Sequence, residues 1–127
     1  MPRSRRSRQG RSRLRLAGKP VLDATNYIPQ RDGRIPGLYD GPPSSVLQEH
    51  LPTAHVVKVF KSITFWHLRS LARPAGAADR SALPIAGDDP AAKAAVTRFL
   101  DAIGYDAVDA ALAHERSGAA HHARASW

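Results

Sequence analysis

The sequence predicts an α/β fold, a partial Rossmann-like arrangement of about four mostly parallel strands with flanking helices. Three observations carry this expectation. Short strand-like runs occur at residues 20–24, 55–60, 82–86 and 106–109. The stretches between them have helical spacing, and strands alternating with helices mark βαβ units and a parallel sheet. The first run, Val21-Leu22-Asp23, leads straight into Ala24-Thr25-Asn26, and in open α/β sheets the loops at the carboxyl ends of strands line the ligand crevice.

After the first strand comes a long Gly/Pro-rich loop, residues 26–43, and then a short helix over 44–51. Ser44 or Ser45 is its expected N-cap, because a hydroxyl can accept from an otherwise unpaired backbone N–H of the first turn. Pro52 closes that helix. Beyond the second strand, residues 62–72 place Phe65, Leu68 and Ala72 on one face, with Ile63, Trp66 and Leu71 nearby. That spacing predicts a helix, with its aromatics packed on the core or the sheet. The strongest helix opens at Asp88-Asp89-Pro90, an acidic cap with Pro in the first turn, and runs through Ala92, Ala95, Val96, Phe99, Leu100 and Ile103. Gly104 supplies its stop.

A chain of 127 residues has room for one domain of ordinary size. It has no cysteine, which excludes disulfides, thiolate zinc sites and a cysteine nucleophile. No stretch approaches the roughly 18 consecutive apolar residues of a membrane span, so a soluble, cytoplasmic protein with no membrane partner is expected. The net charge of +8 is unevenly placed. Seven arginines and no acid fall within residues 1–15, while the rest of the chain is close to neutral. Nucleic-acid-binding domains carry basic charge on a face of the fold, so no specific nucleic acid is expected. The competing reading is a basic-tailed nucleic-acid-binding or interaction protein on an α/β scaffold.

Residues 1–15 form an Arg/Ser-rich tail with too little apolar content to order itself. Its Ser4-Arg5-Arg6 has no apolar region after it, so export is not expected. Residues 16–110 form the domain, and 111–127 read as an irregular second tail. His114, His121 and His122 lie in that tail, where no ordered shell would support a native metal site. Asp88 and Asp89 read as helix-capping carboxylates rather than a metal or acid/base pair. Asp23, at a strand end, reads as a hydrogen-bonded structural carboxylate.

Four segments occur in a telling order: Val21-Leu-Asp-Ala-Thr-Asn26, Val56-Val-Lys-Val-Phe-Lys-Ser-Ile63, residues 72–89 (Ala-Arg-Pro-Ala-Gly-Ala-Ala-Asp-Arg-Ser-Ala-Leu-Pro-Ile-Ala-Gly-Asp-Asp), and Leu100-Asp-Ala-Ile-Gly-Tyr-Asp-Ala-Val-Asp-Ala110. Together they resemble the NADP oxidoreductase family dependent on coenzyme F-420, a deazaflavin, over the C-terminal half of its Rossmann-like NAD(P)-binding domain. The resemblance implies hydride transfer between NADP and the deazaflavin coenzyme. Because the cofactors carry that reaction, it implies no catalytic side chain and no metal. It also implies that the loops after the first two strands approach the nicotinamide, through Ala24, Thr25, Asn26, Phe60, Lys61 and Ser62.

The family opens with a G-x-G-x-x-G phosphate loop that this sequence does not contain. A truncated member is therefore expected, with weak or no NADP binding and activity alone. Family members commonly read Lys-Ala-Phe-Asn where this chain reads Lys58-Val59-Phe60-Lys61, and proline is common at the position of Tyr27. Both ends leave the family pattern abruptly, and shifted reading frames or a misplaced start are the expected origin. A half-sheet leaves an unpaired edge, so homo-oligomerisation through that edge is expected as well.

Overall fold

The computed structural model describes residues 15–110 apart from 40 and 42. The expectations for residues 1–14 and 111–127, including the three tail histidines, lie outside the described residues. In chain order the elements are β1 (Pro20–Asp23), α1 (Pro29–Asp32), α2 (Pro43–His50), β2 (His55–Lys58), α3 (Phe65–Ser70), β3 (Ala82–Ile85), α4 (Pro90–Ile103) and β4 (Asp106–Asp109).

The four strands stand where the sequence places them and pair in two parallel ladders. Val21 lies opposite Val56 in β1–β2, and Leu83 opposite Ala107 in β3–β4. Parallel neighbours cannot be joined by a tight turn, and the crossovers are supplied by α2 and α4 respectively. The two ladders meet at an antiparallel bridge, where Lys58 N donates to Ala86 O at 2.7 Å and Ala86 N to Lys58 O at 3.2 Å. The carboxyl ends of β2 and β3 therefore face one another running in opposite directions. Gly87 permits this approach, since a Cβ there would lie 3.0 Å from Val56 O and 3.3 Å from Val57 Cγ2.

The core forms where α4 covers the sheet. Ala92, Val96 and Leu100, one helical turn apart, are buried against Val57, Val59, Leu83, Ile85 and Tyr105. Burying each of the larger aliphatics contributes about 1.5–3 kcal/mol. The ends of α4 follow the sequence expectation. Asp89 Oδ2 accepts from Ala92 N at 2.8 Å, Pro90 opens the first turn, and Gly104 takes the left-handed conformation (φ 106°) at the C-cap. The Arg80 guanidinium closes the same end, donating to Asp101 O at 2.9 Å and Tyr105 O at 3.1 Å.

Three local expectations are corrected. The loop 26–43 contains the short α1, opened by Pro29 and steadied by Ile28 N donating to Asp32 Oδ2 at 3.1 Å. Helix α2 begins at Pro43, so Ser44 sits inside the first turn and is no N-cap; its hydroxyl is used elsewhere, as described below. Helix α3 is shorter than the periodicity over 62–72 implies. Ile63, Leu68 and Ala72 take the inward face, which turns Phe65 and Trp66 outward at 69% and 70% exposure. Those two rings stack on one another instead, with centroids 4.1 Å apart and planes tilted by 32°.

Gln48 ties α2 to β2 by a local device. Its Nε2 donates to Leu51 O and Ala54 O at 2.9 and 2.7 Å, and its Oε1 accepts from Val56 N at 3.0 Å. One side chain thus satisfies the end of the helix and the start of the strand.

Candidate functional site

The site is built on the last residue of β1. Asp23 has a fully buried side chain, and a carboxylate removed from water must be surrounded by donors. Its Oδ1 accepts from Thr25 N at 2.9 Å and Thr25 Oγ1 at 2.6 Å, which turns the chain off the strand. Its Oδ2 accepts from Ser44 Oγ at 2.5 Å and from Lys61 Nζ at 3.2 Å, and Lys61 Nζ also lies 3.2 Å from Ser44 Oγ. Asp23 is thus the hydrogen-bonded structural carboxylate that its position predicts.

Three separate segments are tied by this cluster: the loop after β1, the first turn of α2 and the loop after β2. Asn26 adds a second tie, its Nδ2 donating to Lys61 O at 3.2 Å. Phe60 precedes this loop with φ 62°, a left-handed conformation that costs a bulky residue of order 1–3 kcal/mol. The turn it makes lets Lys61 fold back beneath the loop, where only 4% of its side chain is exposed. Burial pushes the Asp23 carboxyl up, but the hydrogen bonds from Ser44 and Thr25 and the charge of Lys61 outweigh it and hold the group below its ordinary value.

The six residues marked by the sequence divide by orientation. Ala24, Thr25, Asn26 and Ser62 are exposed at the carboxyl edge of β1 and β2. Phe60 is half-buried and packs against the core. Lys61 points inward and is neutralised by Asp23, so its charge is spent within the fold.

Beside this edge lies an open groove of about 750 Å³ between the loop after β1, α1 and α2, lined by Thr25, Asn26, Tyr27, Leu38, Val46 and His50 among others. The groove wall is braced by its own side chains. Arg31 donates to both Asp32 oxygens, at 2.6 and 2.8 Å, and to Asn26 O at 3.0 Å. The Arg31 hydrogen bonds, with that from Ile28 N, hold the Asp32 carboxyl at about 2. Tyr27 Oη donates to Gly33 O at 2.5 Å and accepts from Ile35 N at 3.0 Å. The sequence reading passed over Arg31 and Ser44 as site residues. A buried strand-end Asp was the available signal for Ser44, since such a group needs a hydroxyl or cation from a distant segment.

A dinucleotide pyrophosphate requires uncommitted backbone N–H groups at a helix start and a glycine turn. Residues 24–28 contain no glycine. Thr25 N and Lys61 Nζ are committed to Asp23. The loop after β1 therefore does not fit the pyrophosphate. No cluster of three or more His, Asp or Glu side chains suited to a metal occurs among the described residues. Nor is any described helix long and apolar enough to cross a membrane.

No family model and no curated protein matches the chain. Solved structures do. A crystal structure from Arthrobacter sp. FB24, described as a "putative f420 dependent nadp-reductase", superposes with TM-score 0.64 at 27% identity, over 86% of this chain and 50% of that one. The hypothetical protein SMa0349 from Sinorhizobium meliloti gives TM-score 0.63 at 25% identity, over 76% of this chain and 46% of that one. The chain thus spans about half the length of these two proteins. Its fold is a partial Rossmann-like one, similar to that of an oxidoreductase.

Proposed function

We propose that this chain forms the ring-side wall of an NADP crevice in an oxidoreductase of the deazaflavin-dependent type. One observation carries the reading: the Asp23–Ser44–Lys61 cluster fixes the loops after β1 and β2 together, presenting Ala24, Thr25, Asn26 and Ser62 at the strand ends. Likeness to the Arthrobacter structure supplies the redox class. When bound, NADP and the F-420 deazaflavin supply the hydride chemistry themselves. The chain's part is to position a ring and to limit water at that edge. Burying Lys61 on Asp23 keeps a cation away from a nicotinamide that is itself positive when oxidised.

Alone, the chain binds NADP weakly, because the loop after β1 has no glycine turn and its Thr25 N is committed to Asp23. The test is backbone amide chemical-shift mapping with millimolar NADPH. Shifts confined to Ala24, Thr25, Asn26, Ser62 and their neighbours are expected. Shifts scattered over the surface, or none, overturn the proposal. Quenching of Trp66 and Trp127 fluorescence by NADPH is expected to show no saturation at micromolar concentrations, and tight saturable binding would contradict the weak-binding part.

A further inference from the structure

Among the described residues, the most exposed large apolar side chains are the two rings of α3. Phe65 and Trp66 stack on one another with centroids 4.1 Å apart, and at 69% and 70% exposure their outer faces stay open. This placement is enforced from beneath. Ile63, Leu68 and Ala72 pack against the core, and the hydroxyl of the fully buried Tyr105 donates to Leu68 O. A turn pinned in this way presents its outward rings in a fixed place, and a ligand loses less binding energy to ordering such a surface.

The rings stand beside the strand ends described above. Ser62, exposed at the carboxyl edge of β2, precedes Phe65 by three residues. Side chains of a helix tilt toward its start, so Phe65 and Trp66, in the first turn of α3, lean back toward the loop that carries Ser62. Arg69 lies on the same face, four residues after Phe65 and three after Trp66. It is exposed and makes no ion pair among the described residues. α3 itself contains no acidic residue.

We propose that Phe65, Trp66 and Arg69 form a stacking site for a flat fused heteroaromatic ring of flavin type that carries an anionic group. The ring adds a third layer to the Phe65–Trp66 stack, in the offset geometry that aromatic pairs prefer, and Arg69 meets the anion. A second copy of the chain is a poorer occupant. Aromatic side chains offer about 150–250 Å² each, so the pair exposes less than about 400 Å², well below the roughly 800 Å² per partner of a stable interface. Two-fold pairing of α3 would also bring Arg69 and its copy, two cations, into that small contact. An adenine base is smaller than a three-ring system and covers less of the pair.

The inference takes its redox meaning from the crevice reading above, but its test uses no NADP, so each can fail alone. The probe is riboflavin 5′-phosphate, with riboflavin and adenosine 5′-phosphate beside it, added to the full 127-residue protein. The readout is the indole Nε1–H resonance of Trp66, with Trp127, the other tryptophan, as internal control. A saturable shift of Trp66 but not of Trp127 is expected with riboflavin 5′-phosphate. Riboflavin should bind about threefold more weakly for want of the phosphate, and adenosine 5′-phosphate more weakly than riboflavin 5′-phosphate. Trp66→Leu should weaken binding about three- to tenfold, read from the ligand resonances, and Trp66→Tyr should restore most of it. Arg69→Gln should lower the affinity for riboflavin 5′-phosphate to that for riboflavin. Trp66 and Arg69 are exposed, so these variants keep the circular dichroism spectrum of the unmodified chain. An unmoved Trp66, adenosine 5′-phosphate binding as tightly as riboflavin 5′-phosphate, or an Arg69→Gln effect equal on both flavins would overturn the proposal. So would a Trp66 shift that depends on protein concentration without ligand, the mark of a second copy on the rings. NADPH added separately tests the crevice reading at Ala24, Thr25, Asn26 and Ser62.

Discussion

Lys61 and Asp23 form a buried pair, and buried pairs are sensitive to the loss of one member. Lys61→Met leaves the carboxylate with Ser44 and Thr25 but without its cation. The expected loss is about 3–5 kcal/mol, a large part of the roughly 5–15 kcal/mol available to a small domain. Urea denaturation measures it. The double variant Asp23→Asn/Lys61→Met should recover much of the loss, because no unpaired charge remains inside. The same carboxylate makes stability depend on acid. Its folded pKa lies below the ordinary 3.8, so its contribution is complete above about pH 4 and disappears as pH falls through the lower, folded value. Asp23→Asn should flatten the acid limb of a stability-against-pH curve relative to the unmodified protein. At this scale the sequence was half legible: a strand-end Asp announced a structural carboxylate, but not which hydroxyl and amine would meet it from 21 and 38 residues away.

Elements were more legible where local chemistry decides them. Helix α4 carries its start and stop within its own residues, and the same residues make it testable. Asp89→Ala removes the acceptor for Ala92 N and should cost about 1 kcal/mol in thermal denaturation. Gly104→Ala should cost more than that, since it forces a side chain into φ 106° with its Cβ 2.8 Å from Ala72 Cβ and 2.9 Å from Arg73 N. Equal effects of the two would contradict the packing described at that turn. Helix α3 was less legible because hydrophobic periodicity does not say which apolar stripe meets the core. Ile63, Leu68 and Ala72 won that face, and the larger aromatics were left outside. Tyr105 explains part of the outcome. It is fully buried, and its hydroxyl donates to Leu68 O within α3, anchoring the helix by its inward side.

For the whole molecule, the proposed cofactor crevice rests on the α/β body rather than on the arginine-rich segment. Removing residues 1–15 should leave the NADPH-induced amide shifts unchanged; loss of those shifts would place the site partly on that segment. The junction of the two ladders belongs to the same scale. Its antiparallel bridge lets β3 end against β2, and Gly87→Ala should loosen that contact, measured as faster amide exchange at Ala86 and Lys58. Alternation of strands and helices implies parallel neighbours within each crossover unit, but the direction in which two units meet is a long-range matter that local pattern does not encode.

The sequence by itself determined the element order, the four strand positions, the ends of α4 and the strand end from which the loop of Ala24, Thr25 and Asn26 emerges. These follow from periodicity, capping and turn chemistry within a few residues. Tertiary structure alone decided that Lys61 turns inward, that Ser44 serves Asp23 instead of its own helix, and that Phe65 and Trp66 face solvent. Each of those outcomes depends on groups far apart in the chain competing for one buried site, and only the folded arrangement sets which of them is near enough to win.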